Sequence, residues 1–175
     1  TKEYPPADMA EFERMKRESG GFAHAVAEIK DALVEMPTTM RQLWWVKFFT
    51  WYGLPLMWQY LSLAISRHAF NAPNPGMPGF DEGSKWGGLC FAAFNVGCIL
   101  VSFLIPTLSR RLSKQAVHAT FLSVAGLGFL SMLLSNDKNI FMVGMLLVGL
   151  GWGSILSMPY VMLADSVPPQ RMGVY

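Results

Sequence analysis

Four long apolar segments are the feature of this sequence that most constrains its fold. They cover residues 43–65, 86–108, 117–134 and 140–163, and Lys47 and His118 are the only basic or acidic side chains inside them. A hydrocarbon core about 30 Å thick is crossed by roughly 20 helical residues. In lipid, backbone N–H and C=O groups must be satisfied within the segment or in a closed barrel. The pattern therefore predicts an all-α, polytopic transmembrane helical bundle with four spans.

Charge divides the chain into two parts. Residues 1–41 hold six Lys or Arg and eight Asp or Glu, whereas the rest of the chain holds eight and four. The whole chain is 52% hydrophobic and only 15% charged, against about 25% charged in soluble proteins. We therefore expect a polar region, residues 1–41, followed by a membrane domain, residues 42–175. The net charge of +2 is too small to indicate a nucleic-acid partner.

The basic residues predict an orientation. Arg110, Arg111 and Lys114 lie between the second and third segments, and Arg171 follows the fourth. Cytoplasmic loops carry an excess of Lys and Arg, so residues 1–41 and these four side chains are expected on the cytoplasmic side. The expected location is the plasma membrane or a bacterial inner membrane, with anionic lipid contacting the basic loop.

Two helices are expected within the polar region. Residues 9–19 follow Asp8, a favourable N-cap, with Glu11 in position for a reciprocal bond. Residues 22–35 repeat an apolar side chain every three or four positions, and Pro37 should end that helix. The second helix has two interpretations: it lies under the membrane domain as a surface helix, or it is a linker helix packed on the bundle.

Polar and aromatic groups inside a span are candidates for a transport pathway, because they are costly to place in lipid. In the first segment Trp51 and Gln59 fall on one helical face. Such a pair suits a sugar, since indole rings stack on a pyranose and amides bond its hydroxyls. Packing is the alternative for both residues. Trp44 and Trp45 are expected instead in the interfacial aromatic belt.

The second and fourth segments supply further candidates. Asn95 lies near the middle of its segment and needs either a neighbouring helix or a ligand as its partner. Trp152 and Tyr160 are expected to face a cavity, and Pro159 is expected to break the helix. Gly149 and Gly153 form a small-xxx-small pair, which favours close packing of helices.

Catalytic, cofactor and metal-binding motifs are not found. The spans contain no paired carboxylates, no His-Glu-x-x-His and no P-loop, which disfavours an enzyme and gives no reason to expect a metal or cofactor. Cys90 and Cys98 are too far apart along one helix to form a disulfide, and are expected as apolar fillers. Asp165 is the one acid near the end of the fourth span. It is expected to act as a gate residue, to cap the helix or to pair with a basic side chain.

Several stretches together resemble the sucrose/proton symporters of the major facilitator superfamily, and less distinctly the glycoside–pentoside–hexuronide cation symporters. In order along the chain, the stretches correspond to the start of helix 7 of such a carrier, to helix 8, to the basic loop between helices 8 and 9, and to the connection between helices 10 and 11. They are EMPTTMRQL at 35–43 with FFTW at 48–51, WGGLCFA at 86–92 with Asn95 following, SRRLSK at 109–114, and Pro159-Tyr160, Asp165, Pro168-Pro169 and RMGVY at 171–175.

The resemblance implies four spans of a twelve-helix carrier made of two six-helix halves. The chain would then be an internal fragment, and its partners within the same carrier would be the N-terminal half and helices 11–12. The implied function is secondary active transport of a disaccharide or glycoside by alternating access, coupled to protons or sodium through acids in the N-terminal half. Ser109 stands where the family often has an acid, which puts the usual salt bridge of that loop in doubt.

The expected substrate-binding and gating residues follow from these arguments. Two other functions stay open: a major facilitator carrier of another small solute, such as a peptide, drug or organic anion, and a non-transporting membrane scaffold. A scaffold predicts that every polar group within the spans pairs with a neighbouring helix. The expected substrate-binding residues are Trp51, Gln59, Asn95, Trp152 and Tyr160, and the expected gating residues are Arg110, Arg111, Lys114, Asp165 and Arg171.

Overall fold

The computed structural model of the protein describes residues 22–166, and within them the chain is helical without strands. The chain separates into two compact units, residues 1–38 with 167–175 and residues 39–166. The helix expected over residues 9–19 lies outside the described residues. The helices are α1 (Phe22–Val34), α2 (Thr38–Ala69), α3 (Phe80–Leu108), α4 (Lys114–Leu133) and α5 (Lys138–Ser166).

Helix α1 covers the stretch before Pro37 where a helix is expected. It ends at Val34, and the last turn is closed by a hydrogen bond from the Glu35 N–H to the Asp31 carbonyl oxygen, 2.9 Å long. Proline disfavours the helical conformation of the residue before it, which explains why the helix stops here. Both interpretations of this helix, and the cytoplasmic place of residues 1–41, stay predictions.

Three of the four expected spans are confirmed by length and composition. Helices α3, α4 and α5 are each long and apolar enough to cross a membrane. Helix α2 has 32 residues, about 48 Å at 1.5 Å per residue, so its length is sufficient. Its mean hydropathy is lower than that of the other three helices, because it carries Lys47 and four tryptophans. The span over residues 43–65 therefore stays a prediction.

Helix α5 is the centre of the bundle, because it packs against both α3 and α4 and has more buried residues than any other described helix. Buried side chains from α2, α3 and α4 meet α5 in the first cluster, and side chains of α3 and α4 meet it in the second. The first cluster contains Leu61, Ile65, Cys90, Phe94, Met132, Phe141, Met145 and Val148. The second contains Val101, Val117, Phe121, Met158 and Met162.

Small residues allow the helices to approach closely. A Cβ added at Gly149 would collide with the Phe94 carbonyl oxygen, and one added at Gly153 would collide with the Val101 side chain. Helices α3 and α5 are thus in backbone contact along the Gly149–Gly153 face, as the small-xxx-small pair predicts. Helices α2 and α3 use a second such face, where Gly83 lies against Ser66 and Gly87 against Ser62.

The expectation that Pro159 breaks its helix is wrong. Helix α5 continues through Pro159 and ends at Ser166. A proline removes one backbone donor, so the carbonyl four residues earlier, that of Ile155, loses its usual partner. The Lys47 side chain on α2 supplies that partner, with Nζ 2.9 Å from the Ile155 oxygen. A donor from a neighbouring helix is one way in which membrane helices tolerate internal proline.

Candidate functional site

Three tryptophans from two helices meet in one cluster, which we call the tryptophan cluster: Trp51 and Trp58 of α2 and Trp152 of α5. The ring centroids are 6.4 Å apart for Trp51 and Trp58, 5.9 Å for Trp51 and Trp152, and 5.3 Å for Trp58 and Trp152. All three pairs are edge-to-face, the geometry that aromatic quadrupoles favour. Phe94 of α3 extends the cluster at 6.4 Å from Trp152.

The tryptophan cluster is packed on one side and open on the other. Trp58 and Trp152 are half-buried, whereas Trp51 keeps 50% of its surface exposed. An exposed indole face held by edge-to-face neighbours is a rigid apolar platform with an N–H donor at its rim. This arrangement can stack a flat apolar surface, such as one face of a sugar ring, without first ordering a loop.

Helix α2 continues the aromatic surface beyond the cluster. An open groove of about 360 Å³ is lined by Trp44, Phe48, Trp51 and Tyr52 together with Lys47. The three- and four-residue spacing of these positions places them on one side of the helix. Trp44, expected in the interfacial belt, therefore also shares a groove with Trp51.

Lys47 joins α2 to α5 at the proline position. Besides donating to the Ile155 carbonyl oxygen, its Nζ lies 5.1 Å from the centroid of the Tyr160 ring. A cation over an aromatic face is stabilised by the ring quadrupole. Tyr160, one of the expected substrate-binding residues, thus has its ring engaged by Lys47 while 63% of its surface stays exposed.

A buried polar pair lies on the same turn of α5. The Nδ1 atom of His118 on α4 is 2.9 Å from the Ser154 hydroxyl oxygen. His118 is 5% exposed and Ser154 is fully buried. The other ring nitrogen, Nε2, has no hydrogen-bond partner among the described residues. Because Ser154 and Ile155 are consecutive, the side chains of His118 and Lys47 reach one turn of α5 from two different helices.

Gln59 and Asn95 are not brought to the tryptophan cluster by any contact of the described residues. Asn95 is exposed, and its Nδ2 donates to the Phe91 carbonyl oxygen of its own helix at 2.8 Å. Gln59 is exposed beside Trp58. The five expected substrate-binding residues therefore divide into a contacting pair (Trp51 with Trp152), a neighbour on α5 (Tyr160) and two separate polar side chains. Their roles stay predictions.

Two of the expected gating residues form an ion pair. Lys114, at the start of α4, pairs with Asp165, near the end of α5. Ser113 caps α4 by accepting a hydrogen bond from the Ala116 N–H at 3.2 Å. Arg110 and Arg111 are exposed, with no ion pair to another described residue. Arg171 lies outside the described residues.

Other chemistry finds little support in the part of the chain that the structure describes. His, Cys, Asp and Glu side chains form no group of three that could hold a metal ion within residues 22–166. Cys90 and Cys98 are free thiols, as their spacing predicts. The Cys98 thiol instead bonds the Gly149 carbonyl oxygen at 3.3 Å, at the close contact of α3 with α5.

Three residues of this region were not among the expected site residues: Lys47, Trp58 and His118. Lys47 and His118 stand out in the sequence as the only Asp, Glu, Lys, Arg or His side chains within the four apolar segments. An ionisable residue at membrane depth is by default a functional candidate, which is the signal that identifies them. Trp58 lies on the same helical face as Trp51, but its contact with Trp152 depends on tertiary packing.

Comparison with known proteins supports the transporter interpretation at the level of the family. The family model of the Major Facilitator Superfamily matches residues 8–175, which is nearly the whole chain. Neither the curated proteins nor the solved structures gave a match. The family model and the long apolar helices agree on an integral membrane protein that contacts lipid and carries a small solute. The chain belongs to the Major Facilitator Superfamily of membrane transporters.

Proposed function

We propose that this transporter carries a disaccharide or glycoside, coupled to protons, by alternating access. The observation that carries the proposal is the tryptophan cluster, which joins α2 to α5 and leaves half of the Trp51 surface open. Major facilitator carriers rock two halves about a site near the membrane midplane. A platform shared by two helices would be remade whenever those helices shift, so solute binding and helix movement would be coupled.

The proposal assigns separate roles to the aromatic and polar residues. Trp51 and Trp152 stack the sugar ring, while Tyr160, Gln59 and Asn95 bond its hydroxyls as the solute moves along the pathway. Indole faces contribute stacking, and amide and phenol groups contribute hydrogen bonds to hydroxyls. Tyr160 is supported most directly among the three, because Lys47 fixes its ring while its remaining surface is open.

The proposal also assigns the helices to a larger carrier. Helices α2–α5 correspond to helices 7–10 of a twelve-helix carrier, and residues 1–41 correspond to its central cytoplasmic loop. The Lys114–Asp165 pair would then join the ends of two helices at the cytoplasmic gate. Arg110, Arg111 and Arg171 would contact anionic lipid beside it, where each basic residue contributes about 1 kcal/mol.

Entrance counterflow in proteoliposomes tests the proposed cargo without any ion gradient. Vesicles loaded with unlabelled sucrose or maltose should accumulate the labelled sugar transiently. Trp51→Ala should lower the initial rate at least fivefold, because it removes the open platform and two edge-to-face contacts, each of about 0.5–1.5 kcal/mol. Equal rates in protein-containing and empty vesicles for both sugars would reject the proposed cargo.

Trp45→Ala is the matched control for this experiment. Trp45 is also an exposed tryptophan of α2, but its ring contacts are Trp44, Phe48 and Phe49 of the same helix. Its removal should change the counterflow rate less than twofold. A similar loss in both variants would mean that the rate reports the stability of α2 rather than a binding platform.

An organic anion is the second candidate cargo, and Lys47 favours it. Lys47 lines the aromatic groove, and its ammonium group has no carboxylate partner among the described residues. An anionic sugar could bind Lys47 through its carboxylate and an indole through its ring. Inhibition of labelled maltose counterflow by glucuronate but not by glucose, lost in Lys47→Met, would favour the anionic cargo.

A further inference from the structure

The Nε2 atom of His118 is an unpartnered polar atom inside the helical bundle. The side chain is 5% exposed, and within the described part of the chain Nε2 has no hydrogen-bond partner. Buried polar groups are nearly always bonded, so such an atom calls for a specific explanation. The other ring nitrogen is held by Ser154 at 2.9 Å, which fixes the ring and the direction in which Nε2 points.

The contact with Ser154 leaves Nε2 able to take up a proton. When the serine oxygen accepts from an Nδ1–H group, the neutral ring carries its lone pair on Nε2. A hydronium ion can transfer its proton to that lone pair, leaving water and an imidazolium ring with two N–H groups. No protein bond breaks, and Ser154 continues to accept from Nδ1. The positive charge of the site rises by one.

Lys47 is the group best placed to respond to that charge. It bonds the carbonyl of Ile155, and the His118 ring bonds the side chain of Ser154, so the two groups reach consecutive residues of α5. Among the described residues, only a carbonyl oxygen and the face of Tyr160 hold the ammonium group in place. An imidazolium would repel Lys47 strongly, since like charges interact across a medium of lower dielectric than water.

The other titratable and charged groups on these helices do not offset this repulsion. Asp165 on α5 is already paired with Lys114, one turn before His118 on α4. Helix α3 contributes the Cys98 thiol, which bonds Gly149. Tyr160 on α5 contributes its ring face to Lys47. Within residues 22–166, neither His118 nor Lys47 has a carboxylate partner that would neutralise a second positive charge at this turn.

We propose that Nε2 of His118 binds a proton and that this proton releases Lys47 from the Ile155 carbonyl. Release would loosen α2 from α5 one turn away from Trp152, and so would change the tryptophan cluster. In a proton-coupled carrier this step would let proton binding alter the solute platform. That consequence rests on the proposed function, whereas proton binding and the release of Lys47 do not.

A titration of the protein in lipid nanodiscs tests the site without any sugar. Within residues 1–175, His24→Gln combined with His68→Gln leaves His118 as the single histidine, so that the ¹⁵N-imidazole resonances of this chain report it alone. We expect Nε2 to change from the lone-pair state to the N–H state between about pH 8 and pH 4.5. Tryptophan fluorescence should change with the same midpoint. A resonance that stays in one state throughout would overturn the proposal.

Lys47→Met separates proton binding from its consequence. In this variant the imidazole should still titrate, but the accompanying fluorescence change should fall at least threefold, because no ammonium group is left to be displaced. A fluorescence change of unaltered size would overturn the release of Lys47. His118→Asn, which keeps a hydrogen-bonding group toward Ser154, should lose the fluorescence change entirely.

Transport distinguishes a failure of this inference from a failure of the proposed function. His118→Asn should retain sucrose or maltose counterflow within twofold and lose at least tenfold in accumulation driven by a pH gradient. Retained accumulation would overturn a coupling role for His118. Absence of sugar transport in the unmodified protein, together with a normal titration and fluorescence change, would reject the cargo and leave the proton site standing.

Discussion

At the scale of single residues, the molecule shows how one side chain compensates for a missing backbone donor on another helix. Pro159 deprives the Ile155 carbonyl of its helical partner, and Lys47 replaces it. In return, the carbonyl and Tyr160 stabilise a charge that is costly to remove from water. The proline and the lysine therefore depend on each other, although they lie on helices far apart in the sequence.

This dependence predicts a non-additive pair of substitutions. Pro159→Ala supplies an N–H to the Ile155 carbonyl. When Lys47 is present, this N–H competes with the Lys47 ammonium group for the same oxygen. In a Lys47→Met background the same N–H satisfies a carbonyl that has no other donor. Pro159→Ala should therefore stabilise the Lys47→Met protein more than the unmodified protein, by about 0.5–3 kcal/mol.

Thermal unfolding in detergent, followed by circular dichroism for all four proteins of the cycle, measures this coupling. The matched control is Pro106→Ala on α3, whose freed carbonyl at Ser102 receives no bond from Lys47. Its effect should be the same with Lys47 or Met at position 47. Additive effects of Pro159→Ala and Lys47→Met would contradict the proposed compensation.

At the scale of helices, packing depends on faces made of small residues. Helix α3 uses Gly83 and Gly87 toward α2, where their absent Cβ atoms make room for Ser66 and Ser62. It uses Gly97 toward α5, against the Leu146 carbonyl. Helix association in lipid relies on such close packing, because the lipid tails are as apolar as the side chains.

Two adjacent glycines on α3 provide a matched test. A Cβ at Gly87 would lie 2.9 Å from the Ser62 Cβ and 3.0 Å from its Cα, whereas a Cβ at Gly88 would meet nothing within 4 Å. Gly87→Ala should destabilise the protein by about 1–3 kcal/mol, because α2 and α3 must separate. Gly88→Ala should stabilise it by about 0.5–1 kcal/mol through helix propensity. Thermal unfolding in detergent compares the two, and equal changes would contradict this packing.

Sequence periodicity and composition predict the helices well and their contacts poorly. The apolar lengths place α3, α4 and α5 correctly, and the Gly149–Gly153 spacing predicts a close helix contact that the structure confirms. The partner of that face, Phe94, depends on how α3 is rotated, which no local pattern determines. The second glycine face, Gly83 with Gly87, needs the matching serines of α2 to be recognised.

The site was harder to predict for the same reason. Aromatic spacing identifies Trp51 and composition singles out Trp152, and the structure places the two rings in contact. Propensity alone predicts that Pro159 ends its helix, and it fails because a donor arrives from another helix. Asn95 can be interpreted from sequence as a ligand-binding or a pairing residue, and its hydrogen bond within α3 is visible only in the folded chain.

At the scale of the whole molecule, the proposed transport pathway requires α2 to cross the membrane. Its length suffices, but its polar and aromatic content leaves the span over residues 43–65 as a prediction. Lys47 and the open aromatic groove explain that content if α2 faces a solute pathway, because such a helix need not be apolar on every side. A helix lying along the membrane surface would not place its two ends on opposite sides.

Single cysteines at the two ends of α2 test the span. Thr38→Cys and Asn74→Cys, each in a Cys90→Ala, Cys98→Ala background, would be probed with a membrane-impermeant maleimide on sealed cells. Both positions are exposed, so reactivity should depend on sidedness. Asn74→Cys should react at once, and Thr38→Cys only after permeabilisation. Reaction of both positions from the same side would contradict a spanning α2.

Accumulation of sugar against its gradient tests the central claim most directly. The full carrier would be reconstituted in sealed proteoliposomes with an imposed pH gradient, and the uptake of labelled sucrose or maltose would be followed. We predict accumulation several-fold above equilibrium, its collapse on addition of a protonophore, and its loss in Trp51→Ala but not in Trp45→Ala. Failure to accumulate either sugar, with the carrier folded and the vesicles sealed, would contradict the account.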